Sequence, residues 1–228
     1  MRPIPTRAPA PEPHRRHPAS TTLVHATLDD QTLLALMVGR ADPDTDPGRL
    51  AAALLERFGS LGAVTGAPPG ELARAPGVDP AVLADLKLLR EMAIRLAREE
   101  ACQRPVITSW TALVAYVRSA LAHEPREQFR ALYLDRRNGL IRDELVADGT
   151  VDHAPVYPRE VIRRALELSA SAMILVHNHP SGDPTPSRAD IEMTRQIVEA
   201  ARVFALQVHD HLVIGREGTA SFKAMGLI

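Results

Sequence analysis

Apolar residues recur at helical intervals through the first half of the chain and in strand-like runs through the second. Leu33, Leu34, Leu36, Met37 and Val38 make a short apolar segment, with Asp29 and Asp30 placed to cap its N-terminus. Asp42-Pro43-Asp44-Thr45-Asp46-Pro47-Gly48 has loop chemistry throughout. Leu50, Leu54, Leu55 and Phe58 then follow at three- and four-residue spacing, and Gly59 stops that helix. Val82, Leu83, Leu86, Leu89, Ala93 and Leu96 predict an amphipathic helix from Ala81 to Ala97. Residues 28–101 therefore read as a small all-α module.

Cys102 to Thr108 reads as a linker, with Pro105 closing the helix before it. From there to residue 228 the element types alternate. Trp110 to Leu121 is helical, and Phe129 to Leu134 and Leu140 to Ala147 are strands around an Arg137-Asn138-Gly139 turn. Glu160 to Leu168 is a helix, and Ala172 to Val176 is an uninterrupted apolar run of buried-strand type. A helix from Arg188 to Phe204 and a strand from Val208 to Ile214 complete the series. This alternation with mixed pairing predicts an α/β layered sandwich over residues 102–228.

Composition narrows the function classes. Among 228 residues, 45% are hydrophobic and 24% charged, which excludes wholesale disorder. The first twenty residues hold six prolines and four arginines against one glutamate, so residues 1–27 are expected to be a disordered tail. Lys+Arg 27 against Asp+Glu 28 excludes polyanion binding by bulk charge. The single cysteine, Cys102, excludes an internal disulfide and a Cys-based zinc site. No apolar run approaches the ~18 residues of a membrane span, and no apolar stretch follows the N-terminal arginines as a signal peptide requires. A cytoplasmic protein with no membrane partner is the expectation.

Leu72-Ala73-Arg74-Ala75-Pro76-Gly77-Val78-Asp79 lies between two helices, the layout of a helix-hairpin-helix, whose exposed N–H groups can hold a DNA phosphate. Asp79 replaces the second glycine expected there, and its charge repels phosphate. Residues 28–101 also carry 12 acids against 8 bases, the wrong sign for a DNA-binding module. A structural hairpin is preferred, with DNA kept as the alternative partner.

The chemistry concentrates after the buried strand, in His177-Asn178-His179-Pro180-Ser181-Gly182-Asp183-Pro184-Thr185-Pro186-Ser187-Arg188-Ala189-Asp190. Residues two apart on an extended chain point to one side, so His177 and His179 can present two imidazoles to one point. That point lies beyond the strand's C-terminal end, where open α/β sheets place ligands. Ser187 sits at a helix start and Asp190 one turn inside. Two histidines and a carboxylate form a three-ligand Zn2+ set with a fourth position open for water, whose pKa the metal lowers towards neutrality. Iron or manganese also suits these donors. Ser187 to Asp190 fits a capping box as well, and Pro-Ser-Gly-Asp-Pro fits a turn. Neither reading explains the His-x-His pair or its distance from the carboxylate. His209 and His211 flank Asp210 at strand alternation; one can orient a ligand or Ser187, or both can be core or solvent residues, and neither is assigned as a ligand.

His-x-His, seven residues, Ser, two residues, Asp resembles the signature of JAMM (MPN+ or Mov34/JAB) metalloproteases. The wording His-Asn-His-Pro-Ser-Gly-Asp-Pro-x-Pro-Ser, with Tyr157-Pro158-Arg159-Glu160 before it, is similar to the bacterial RadC (UPF0758) family. Asp210-His211-Leu212-Val213-Ile214-Gly215, Ser221-Phe222 and Gly226 extend the likeness, which covers residues 28–228. The resemblance implies a mixed sheet sandwiched between helices, as in cytidine deaminases, preceded by a helical module. It implies one Zn2+ per chain on His177, His179 and Asp190, with Ser187 donating a hydrogen bond beside it. It also implies a glutamate general base next to an early strand. Glu127, immediately before Phe129 to Leu134, is favoured, with Glu124 and Glu144 as alternatives. The function so implied is zinc-dependent hydrolysis of peptide or isopeptide bonds in a protein or peptide substrate. The alternatives are a nucleic-acid-binding protein of DNA repair and a non-catalytic, zinc-stabilised interaction module.

Overall fold

Short-range capping fixes where the first helices begin. In the computed structural model, which describes residues 28–42, 45–102, 109–149 and 156–228, α1 (Asp30–Ala41) starts where the Asp29 carboxylate accepts from the Thr32 amide at 2.7 Å. The Asp46 carboxylate likewise accepts from Gly48 and Arg49 at the head of α2 (Pro47–Phe58). Two short helices, α3 (Leu61–Gly66) and α4 (Pro69–Leu72), lead to α5 (Pro80–Cys102). Leu34, Val38, Leu50, Leu54, Val64, Leu72, Val82 and Leu86 close one core among these helices. The Pro/Arg-rich segment 1–27 and residues 103–108 of the expected linker lie outside the described residues.

The turn at Gly77 is present, but the helix after it is already capped: the Asp79 carboxylate accepts from the Val82 amide at 2.7 Å. Asp79 thus stands where an incoming phosphate would have to sit, and its replacement of glycine has a local structural reason.

The second core forms on a five-stranded sheet of order β2-β1-β3-β4-β5. After α6 (Trp110–Leu121) come β1 (Gln128–Leu134), β2 (Leu140–Asp148), α7 (Pro158–Glu167), β3 (Ala172–Asn178), α8 (Arg188–Val203), β4 (Gln207–Ile214) and β5 (Thr219–Ser221). Only β3 and β4 pair in parallel, across the α8 crossover; the other pairs are antiparallel. This is the mixed α/β sandwich expected. β3 is buried along its whole length, which is why it reads as a continuous apolar run.

Strand alternation then sorts the side chains between two layers. Ile174, Val176, Leu212 and Ile214 join Leu113, Val117 and Leu121 of α6 on one face. Phe129, Ala131, Tyr133, Met173 and Leu175 pack on the other against Val161 and Ala165 of α7 and Ile197 and Ala201 of α8. Continuing that period past Leu175 carries His177 to the α8 face. Helix α5 belongs to both halves: Val82 and Leu86 lie in the first core, while Ile94, Ala97 and Ala101 pack with α6 in the second.

Candidate metal centre

At the C-terminal end of β3 the chain turns away through residues 179–187 and re-enters as α8. Ser187 is the N-cap of that helix: its Oγ accepts from the Asp190 amide at 3.1 Å, and its own amide donates to Asp190 Oδ2 at 2.7 Å. The capping box is therefore compatible with a ligand role for Asp190. The cap fixes the Asp190 carboxylate so that it faces the histidines, with Oδ1 3.5 Å from His177 Nε2 and Oδ2 3.4 Å from His179 Nε2. The two Nε2 atoms are 3.0 Å apart. One donor atom each from His177, His179 and Asp190 lies within 4.8 Å of the others.

The proton inventory around these atoms decides what they can bind. Thr194 Oγ1 donates to the Asp190 carbonyl at 2.6 Å, which uses its only hydrogen. At its 2.6 Å contact with His211 Nδ1 the hydroxyl oxygen must therefore accept, so that nitrogen carries the proton. Burial pushes His211 well below its ordinary 6.5 and keeps it neutral, leaving Nε2 as an acceptor. His177 Nδ1, 2.8 Å from His211 Nε2, must then be the donor. His179 Nδ1 donates to the Asp183 carbonyl at 2.9 Å. Both Nε2 atoms are thereby left with bare lone pairs, aimed at each other and at a carboxylate. Three acceptors facing one point call for a cation. Without one, only a proton on His179 relieves them, and the Asp190 hydrogen bond does hold that imidazole above its ordinary 6.5 against the opposing effect of burial. Burial opposes ionisation of Asp190, yet the hydrogen bonds and charge that surround it outweigh that and hold its carboxyl far below the usual range. This donor set fits a divalent metal such as Zn2+.

The histidine relay sits in an aromatic box. The His211 ring stacks on Phe222 at 4.5 Å between centroids and meets the edge of Phe129 at 5.5 Å. His209 takes no part, because β4 bulges there: the register with β3 passes from Val208 to Asp210. His209 Nε2 turns instead to Asn138 Oδ1 in the β1–β2 turn, at 2.7 Å. The two histidines take separate partners, which strand alternation alone could not foresee.

Of the three glutamates considered, two are committed elsewhere. Glu144 pairs with Arg164 of α7 at 2.8 Å, and Glu124 pairs with Arg90 of α5 at 2.7 Å. Glu127 precedes β1 by one residue, in a register that sets Phe129 opposite His177 and so places Glu127 across from His179. Its negative charge contributes to raising the His179 pKa. Asn178, the middle residue of His-x-His, has a function that its motif position concealed. Its Oδ1 accepts from the Gln128 amide at 2.8 Å, and its Nδ2 donates to the Arg126 carbonyl at 3.0 Å. The tripeptide that carries both histidines thus also clamps the segment bearing Glu127.

A close backbone approach holds the loop after β3. A Cβ on Gly215, at the end of β4, would lie 2.0 Å from the Gly182 carbonyl oxygen, so only glycine lets the two turns pack. Arg216 reinforces the contact by donating to the Pro180 and Ser181 carbonyls.

Comparison with known proteins places the chain in a family. Residues 107–227 match the family described as RadC-like JAB domain. A UPF0758 protein of Rhodobacter capsulatus is 57% identical over 201 residues, covering 88% of this chain and 94% of that relative.

Proposed function

The chain belongs to the RadC (UPF0758) family, and from that premise we propose that it is a zinc-dependent hydrolase of peptide or isopeptide bonds. The observation that carries the reading is the convergence of His177 Nε2, His179 Nε2 and one Asp190 oxygen on one point, with no donor facing either Nε2 among the described residues. His177, His179 and Asp190 hold the metal, which when bound supplies an acidified water and a Lewis acid for a carbonyl oxygen. Glu127 takes the proton of the attacking water and returns it to the departing nitrogen. Ser187 accepts the Asp190 amide through Oγ, and its hydroxyl hydrogen, shared with the Asp190 carboxylate, stabilises the developing oxyanion. The relay from His177 through His211 and Thr194 keeps the imidazole in the tautomer that ligation needs.

Nucleic-acid binding draws no support from the hairpin, where the Asp79 carboxylate already occupies the helix N-terminus. The test is hydrolysis of a panel of quenched-fluorescent peptides and isopeptide-linked conjugates by the Zn2+-loaded protein. Glu127→Gln is expected to retain its metal while losing about 10²–10⁴-fold in rate. A metal-loaded protein that cleaves no member of the panel, but melts far lower after His179→Ala, would support a stabilising metal instead.

A further inference from the structure

The segment between α6 and β1 carries Glu127, and the helical module touches it as Asn178 does. Arg90, on the middle of α5, donates to the Glu124 carboxylate at 2.7 Å and to the Ala120 carbonyl at 3.3 Å. The same guanidinium reaches the Gly66 carbonyl of α3 at 3.4 Å. Lys87, one turn earlier on α5, ties α3 down further through the Thr65 carbonyl at 2.8 Å and the Ala67 carbonyl. His123 lies directly against α3. A Cβ on Gly66 would come within 2.4 Å of the His123 Cβ, and one on Gly62 within 3.1 Å of His123 Nε2. Glycine at position 66 is therefore what lets the segment seat on the module. Glu124 passes the contact onward, since its second oxygen accepts from the Gln128 side chain at 3.5 Å.

We propose that the helical module is a positioning device for the general base: Arg90 and the glycine face of α3 set the segment Ala122–Gln128, and through it Glu127, against the metal centre. Arg90 and Gly66 act through that segment and touch no reacting group, so they are positioning residues. The module's contribution is thereby to the chemistry of the second half of the chain rather than to a separate ligand. This rests on the reading of Glu127 as the base.

Acetohydroxamate binding to the Zn2+-loaded full chain tests it. A hydroxamic acid chelates the metal through its oxygens and gives its proton to the base, so its Kd reports where Glu127 stands without requiring a substrate. Glu127→Gln should weaken binding about tenfold, and Arg90→Met and Gly66→Ala should each do the same at unchanged zinc content. Arg90→Lys, which keeps a cation beside Glu124, should restore most of the affinity. In the Glu127→Gln background Arg90→Met should add nothing, because both act through one group. Amide exchange of residues 122–128 should quicken in Arg90→Met while that of β3 stays unchanged. Should Arg90→Met not fold, Gly66→Ala carries the same comparison. Wild-type affinity in both module variants, or an Arg90→Met loss of equal size in the Glu127→Gln background, overturns the proposal. If Glu127→Gln itself binds like the wild type, the base assignment fails and the proposal falls with it, an outcome distinct from an intact Glu127 effect that the module does not share.

Discussion

At the scale of single residues, the proposed metal ligands are a local feature and their orienting partners are not. His177, His179 and Asp190 lie within fourteen positions of one another, inside one strand, one loop and one helix start, so their spacing alone brings them together. His211 reaches His177 only because β3 and β4 pair in parallel across α8, and no local pattern announces which face a histidine takes beyond a bulge. Asn178 is legible as the residue between two candidate ligands, but its bonds to Arg126 and Gln128 depend on the antiparallel register with β1. The relay makes a quantitative demand. His211→Ala removes the acceptor of the His177 Nδ1 proton and should weaken Zn2+ binding about 10–100-fold, read by competition with a chromophoric chelator. Thr194→Val should weaken it in the same direction by less, since His211 retains its acceptor nitrogen. Unchanged affinity in His211→Ala would remove the relay from the account.

Among the elements, amphipathic period and buried runs located what they could. Helix α6 begins and ends where its apolar spacing predicts, and the strands β1 to β4 agree to within two residues at each end. The short pieces α3, α4 and β5 escaped, because four to six residues, or three in β5, cannot complete a periodic pattern. Helix α5 extends five residues past the expected Ala97, since Ala101 is buried against the second core by tertiary packing rather than by its own amphipathic stripe. That shared helix should make the two cores unfold together. Leu86→Ala, in the first core, should cost about 2–5 kcal/mol. The only tryptophan, Trp110, packs against the second core and reports on it by fluorescence. Its denaturation midpoint should shift as far as that of the far-ultraviolet helix signal. A Trp110 transition that stays in place would mean that α5 does not couple the cores.

For the molecule as a whole, His179 links stability to pH with opposite signs before and after metal binding. The folded pKa of His179 is raised, so in metal-free protein its contribution is complete below 6.5 and is lost as pH rises through the folded value. That of Asp190 is lowered, so its contribution is present above 3.8 and is lost as pH falls through the folded value. Both operate between 3.8 and 6.5, and calorimetry of the metal-free protein should find Asp190→Asn most destabilising in that window. Metal requires the neutral imidazole, so its affinity should instead fall as pH drops. The proposed chemistry requires an ion at this centre. The most direct measurement is the metal content of the purified protein by mass spectrometry after supply with zinc, beside His177→Ala and Asp190→Ala. The account predicts about one metal ion per chain in the wild type, lost in both variants. A wild-type protein without stoichiometric metal, or variants that keep it, would contradict the account.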